Sequence, residues 1–271
     1  RKAARQGKSL PLTCDDQAFY PSSTEISGSQ RSARKNHEHQ IFGHDRRTGK
    51  SVRRGKSYYR EKIIGELAGT GRGSQQFTLL RGLTQLRQIA NHPKLVREDY
   101  TGESGKLEDI TYMLQETISE NHKVLVFSQF VRHLSIVREF LDRENIPYAY
   151  LDGATRDRQA QVEKFQTDDT CKVFLISLKA GGVGLNLTKA EYVFLLDPWW
   201  NPAVEAQAID RAHRIGQENK VIIYKFISRG SVEEKIMALQ DRKLALAGEL
   251  ISNEESFMKS LDNDDIRALL D

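Results

Sequence analysis

The chain of 271 residues has little cysteine, no long apolar run and no phosphate-binding loop, and each absence excludes something. Two cysteines, Cys14 and Cys171, are too few for a disulfide framework, so a reducing compartment is expected. Cys171 is expected at the start of a buried strand. No apolar stretch approaches the ~20 residues that span a bilayer. The opening RKAARQGKS has no apolar signal-peptide region, so no membrane partner is expected. The chain begins at Arg1 rather than at a methionine, and a fragment of a longer protein is expected.

Three Gly-Lys-Ser tripeptides, Gly7–Ser9, Gly49–Ser51 and Gly55–Ser57, mimic part of a phosphate loop. The full pattern needs a glycine five positions before the Gly-Lys pair. Lys2, His44 and Lys50 stand there instead, and no strand precedes any of the tripeptides. They read as solvated basic turns. An acidic box following an apolar strand is missing as well, so the sequence lacks its own nucleotide cradle.

What is present is unevenly distributed. Residues 1–60 hold 14 Lys and Arg against 5 Asp and Glu, and the remainder holds 27 against 32. The basic character therefore belongs to the N-terminal stretch. Such an arm either binds nucleic-acid phosphates electrostatically or is simply solvated. Residues 11–56 show neither helical nor strand periodicity, and a polar, Ser- and Gly-rich passage of this kind is expected to be irregular or disordered.

From Ser57 the pattern becomes helical. Tyr58, Tyr59, Ile63, Ile64 and Leu67 fit one helix; Phe77, Leu80, Leu83, Leu86 and Ile89 fit a second, ending near His92-Pro93. Both sets are expected to pack in a core. A helix over Lys106–Asn121 follows. Strands and helices then alternate: strand Val124–Phe127, helix Val131–Glu144, strand Tyr148–Leu151, helix Arg156–Phe165, strands Val173–Leu178 and Tyr192–Leu196. A helix Pro202–Arg214, a strand Val221–Ile227 and a long helix Val232–Leu250 behind the cap Ser231 complete the run, and a short helix Asn263–Leu270 ends it. This order implies βαβ units, a parallel sheet and right-handed crossovers.

Leu175–Gln217 organises the rest. It sets a glycine cluster (Gly181, Gly182, Gly184) after one buried strand, and Asp197, Pro198 and Pro202 after the next. Open α/β sheets bind ligands where strand C-termini meet helix N-termini. Arg211 and Arg214 are spaced to share one helix face, where their mutual repulsion is relieved by an anion. Phosphate fits the planar guanidinium fork, while a solvated basic face satisfies the spacing equally. Trp199 and Trp200 suit base stacking or packing, and packing is preferred.

These segments resemble the SWI/SNF-type ATPases, a branch of helicase superfamily two. QAIDRAHRIGQ is similar to their motif VI, SLKAGGVGLNLT to motif V, DPWWNP to the segment between, and KVLVFSQF to motif IV. LDGAT with Arg158 and Phe165 resembles the block after motif IV, and LRGLTQLRQIANHP the helical region preceding the second motor lobe. The resemblance covers Ser57 to the C-terminus. It implies a RecA-like parallel sheet with flanking helices, as in the C-terminal lobe of P-loop-type helicases. The implied division is a basic irregular segment 1–56, a helical linker 57–104, the lobe 105–228 and a helical extension 229–271.

The resemblance further implies ATP with Mg2+ held by a separate N-terminal RecA-like lobe, which carries the phosphate loop and the metal ligands, so that this chain by itself is expected to be inactive. Arg214 is then the arginine finger and Arg211 its supporting phosphate contact. Gln207, Gly182, Gly184, Asn186 and Asp210 face the nucleotide. Ser128, Gln129, Ser177, Lys179 and Arg158 contact double-stranded DNA, and no metal site is implied here. A DNA-bound protein such as RNA polymerase or a nucleosome is the implied cargo. The C-terminal end is similar to bacterial-type members, which favours the bacterial nucleoid over a nucleus and a natural C-terminus. The competing readings are a non-catalytic DNA- or protein-binding module that keeps the fold, and half of an RNA helicase.

Overall fold

The computed structural model describes residues 36–42, 57, 58, 61, 65, 72–180, 185–200, 202–212, 220–247 and 261–270. The chain divides into two compact units, Arg1–Ser32 and Ala33–Asp271, and every described residue lies in the second.

Its centre is a parallel sheet. The strands are β1 (Asn36–Phe42), β2 (Val124–Ser128), β3 (Tyr148–Leu151), β4 (Val173–Ser177), β5 (Tyr192–Leu195) and β6 (Ile222–Ser228), in the spatial order β1-β6-β5-β2-β4-β3. β2 and β4 are VLVFS and VFLIS, buried at every position. A strand covered on both faces has to be apolar throughout, and these are. Alternate residues feed two cores. Leu125, Phe127, Phe174 and Ile176 pack on one face of the sheet, and Val124, Val126, Val173 and Leu175 on the other. Cys171 is buried just ahead of β4, as expected.

The helices are α1 (Arg72–Asn91), α2 (Gly105–Ser119), α3 (Val131–Arg143), α4 (Arg158–Thr167), α5 (Pro202–Ile209), α6 (Val232–Ala247) and α7 (Asn263–Leu270). Ser231 caps α6 as expected, its hydroxyl accepting the Glu233 N–H at 3.1 Å. No described helix is long and apolar enough to cross a membrane.

Two expectations change. The passage read as irregular contains β1, paired in parallel with β6 from Asn36 opposite Ile222 to Phe42 opposite Ser228. A strand at a sheet edge is held by backbone hydrogen bonds, so NHEHQIF needs no apolar alternation to join. Phe77, expected in the core, is 70% exposed, and Tyr58 is exposed too. The buried stripe of α1 runs through Leu79, Leu83, Leu86 and Ala90, and Phe77 lies off it.

That stripe meets Val232, Ile236 and Leu239 of α6, Leu269 of α7 and Trp200 in a third core. α1, α6 and α7 are thus packed together. Their junction contains a buried ion pair: Lys106 Nζ lies 2.8 Å from Glu233 Oε2, with side chains 1% and 0% exposed. Lys106 also donates to Asn91 Oδ1 at 2.7 Å, and Glu233 accepts the Ser228 N–H at 3.1 Å. Ser228 donates to the Ala90 carbonyl at 2.9 Å.

A buried pair is expensive to break from one side, because the surviving charge is left without its partner. Lys106→Met is therefore expected to cost about 3–5 kcal/mol. Adding Glu233→Gln should recover most of that loss, since the amide still accepts from Ser228. Urea unfolding of the four corners of this cycle checks it; additive losses would show that the pair is not a unit.

Candidate functional site

All strands point the same way, so their C-terminal ends form one edge of the sheet. The loops after β2, β4, β3 and β5 carry most of the residues singled out from the sequence.

After β5 comes a turn, Asp197–Trp200, that is tied from every side. Asp197 is 1% exposed. Its carboxylate accepts the hydroxyl of Ser128 and, at 3.1 Å, the backbone N–H of Gln129. This joins the ends of β2 and β5. The Pro198 carbonyl accepts from Arg87 of α1 at 2.5 Å. Gln240 of α6 donates to the carbonyls of Trp199 (2.6 Å) and Trp200 (2.7 Å). Glu205 of α5 accepts the Trp199 N–H at 2.7 Å and pairs with Lys225 of β6 at 2.5 Å. Trp200 is buried in the third core and serves packing.

Burial pushes the Asp197 carboxyl up to about 6, against the opposing pull of Arg87, the Ser128 hydrogen bond, the Gln129 N–H and Lys106.

The turn launches α5. Gln207 on the helix and Asp210 just beyond it are exposed. The helix ends at Ile209, short of the expected Arg214. Beyond it Arg211 N–H bonds Ala208 C=O and Ala212 N–H bonds Ile209 C=O, a tighter turn that buries Ala212 and leaves Arg211 only 6% exposed. Arg211 therefore lies beyond the helix rather than on one of its faces. The cause is packing: Ala208, Ile209 and Ala212 all enter the core beneath the sheet. The Arg211 carbonyl accepts the Leu187 N–H at 3.1 Å, which brings the segment after the glycine cluster against the end of α5. Asn186 is exposed in that segment, and its carbonyl accepts from Gln166 at 2.8 Å. Gly182, Gly184 and Arg214 lie outside the described residues.

Farther along the edge, Gln129, Lys179 and Arg158 follow β2, β4 and β3, which are neighbours in the sheet. Lys179 is exposed; Gln129 and Arg158 are half-buried. Ser128 and Ser177, expected to face DNA, are buried. The Ser128 hydroxyl is committed to Asp197, and that of Ser177 accepts the Ala180 N–H at 3.4 Å. Hydroxyls at the ends of buried strands satisfy the turns that follow, so both act as struts. Among the described residues no group of three or more His, Cys, Asp or Glu could hold a metal ion.

Arg87 and Asp197 were not among the sequence candidates. A signal existed for the first: Arg87 sits four residues after Leu83 and three before Ala90, inside the apolar stripe of α1. A cation there needs partners.

Residues 105–216 match the family described as the helicase conserved C-terminal domain. The chain is 45% identical over 152 residues to the DNA repair protein rad8 of Schizosaccharomyces pombe, covering 55% of this chain and 13% of that protein. It matches the solved SWI2/SNF2 ATPase C-terminal domain of Sulfolobus solfataricus with a TM-score of 0.70 at 29% identity, covering 87% of this chain and 98% of that one. The SWI2/SNF2 ATPase core of the same organism in complex with dsDNA matches with a TM-score of 0.71 at 28% identity, covering 86% and 50%. The chain spans between 8% and 20% of the length of the curated relatives it matches, which come from fungi, a plant and bacteria.

Three buried groups set an expected pH dependence. Burial, helped by Lys94, lowers His92 from 6.5 to about 4, and burial holds His133 well below 6.5. Each stays neutral in the fold but takes a proton when unfolded, so each adds stability above 6.5 that is lost as pH falls toward 4. Asp197 acts oppositely. Its raised value favours the fold below 3.8, and that contribution disappears as pH rises through about 6. Two histidines outweigh one aspartate, so stability should rise from pH 4 to 6.5, and Asp197→Asn should steepen the rise. Denaturant midpoints across that range measure it; a flatter profile in the variant would contradict the assignment.

Proposed function

Since the chain belongs to the SWI/SNF-type branch of helicase superfamily two, as its C-terminal RecA-like lobe, we propose that it is half of a DNA-dependent ATPase and double-stranded DNA translocase. It lends arginines to ATP bound on a separate N-terminal lobe. The observation that carries this reading is the junction of Leu187 with Arg211, which sets the segment after the glycine cluster beside the arginine-bearing turn. Strand-end loops of an α/β sheet are where a nucleotide is met.

Hydrolysis breaks the terminal P–O bond of ATP as water adds to phosphorus, giving ADP and phosphate. Negative charge builds on the transferred group, and a guanidinium aimed at it lowers the barrier. Arg214 supplies that group and Arg211 steadies the phosphates. Gln207, Asn186 and Asp210 line the approach, with Gly182 and Gly184 allowing close backbone contact. Mg2+ is assigned to the N-terminal lobe.

Duplex DNA runs along the other half of the edge. Gln129, Lys179 and Arg158 give it polar and basic contacts of the kind that grip phosphates without reading bases. Ser128 and Ser177 shape those loops from within. The likeness to a core solved with dsDNA favours duplex DNA over RNA. A DNA-bound protein such as RNA polymerase or a nucleosome is the cargo, in the bacterial nucleoid or in a nucleus. ATP turnover opens and closes the lobes and advances the chain along the duplex.

In the complete protein, Arg214→Ala should lower DNA-stimulated turnover by about 10³ or more. Arg214→Lys should restore little, because a point charge lacks the planar fork. Phosphate release at saturating ATP and DNA measures both. Turnover within twofold of wild type in Arg214→Ala would remove the finger assignment.

A further inference from the structure

The Asp197–Trp200 turn is held by neighbours in the sheet, α5 and α6, and by one residue of α1. The Arg87 guanidinium is 1% exposed and touches two strand-end loops at once. In the loop after β5, its Nη2 donates to the Pro198 carbonyl at 2.5 Å and its plane lies 4.8 Å from the Trp200 ring. In the loop after β2 it lies 5.4 Å from the Phe130 ring and faces the Gln129 amide; with that amide flipped so that its oxygen points at the guanidinium, the oxygen would accept from Nη1 at 2.6 Å and from Nη2.

We propose that Arg87 is a positioning residue of the motor: it fixes Gln129 for DNA and locks that loop to the one leading into α5 and the arginine-bearing turn beyond it. This rests on the reading of the chain as a DNA-dependent ATPase lobe. A buried cation is costly. Methionine in the α1 stripe would fill the third core without desolvating a cation. Arginine is suited to the place because a planar fork bonds two acceptors while its faces meet two rings. Lysine has no such fork. The effect on Gln129 is chemical: with its oxygen held, the amide keeps its N–H donors for an acceptor, and a phosphate oxygen is an acceptor. The effect on the second loop is geometric. Pro198 opens the turn that carries Glu205, α5 and Arg211, so a shift of either loop is felt by the other.

The test uses the complete protein. ATP turnover is measured against duplex DNA concentration for wild type, Arg87→Met, Arg87→Lys, Gln129→Ala and Arg87→Met/Gln129→Ala, with melting temperatures recorded. Arg87→Met fills the apolar stripe and spares the fold. It should raise the half-saturating DNA concentration at least about tenfold, a loss typical of a misplaced contact, while the KM for ATP stays within about twofold. Arg87→Lys should not rescue it. The double variant should be no worse than Arg87→Met alone, because Gln129 acts in the pose that Arg87 sets. Half-saturation within twofold of wild type in Arg87→Met overturns the proposal, and so do multiplicative effects in the double variant. A wild type whose turnover ignores duplex DNA overturns the parent reading and this one with it.

Discussion

The turn Asp197–Trp200 sits where an irregular backbone is least welcome, at the end of a buried strand under packed helices. Carbonyls and amides there have to find partners, or each costs free energy comparable to a lost hydrogen bond. The chain supplies them from elements far apart in sequence, Arg87 from α1, Gln240 from α6 and Glu205 from α5, while Ser128 of β2 bonds the Asp197 carboxylate. That makes the turn the point at which α1, the sheet and α6 agree on one geometry, and from which the edge of the sheet is aimed.

The same logic explains why the ends of α1 and β6 and the starts of α2 and α6 meet at one place. Lys106 and Glu233 are each the first charged residue of a helix, and neither would be buried without the other. Asn91 and Ser228 complete the shell around them. Packed interiors transmit displacement rather than absorb it. A load on α1 therefore reaches the strand ends through Arg87 and Pro198, and a load on the loop after β2 travels back by the same route. In the motor proposed above, such stiffness would couple one site to the other.

Much of this was legible in the sequence, and the reasons are physical. The strands VLVFS, VFLIS and YVFL are short, apolar and rich in branched or aromatic residues, so their period and burial could be read directly. The Ser231 cap and the Trp200 packing were legible for the same local reasons. What escaped was set by partners distant in the chain. Edge strand β1 depends on β6 and not on its own pattern. The early end of α5 depends on Ala212 entering a core that no local signal announces. Ser128 and Ser177 sit where phosphate contacts belong by position, yet their hydroxyls are used by Asp197 and Ala180. Phe77 shares the apolar character of α1 but not its buried face. Arg87 was visible as an arginine in an apolar stripe, although nothing nearby in sequence identified its acceptors.

The central claim is that this chain completes a nucleotide site whose cradle lies on another lobe. The most direct measurement is ATP hydrolysis by the 271-residue chain, alone and mixed with the N-terminal lobe of the same protein, each with and without duplex DNA. The account predicts turnover only in the mixture that contains DNA. Turnover by this chain alone would contradict it, and so would a complete mixture that binds DNA yet leaves ATP intact.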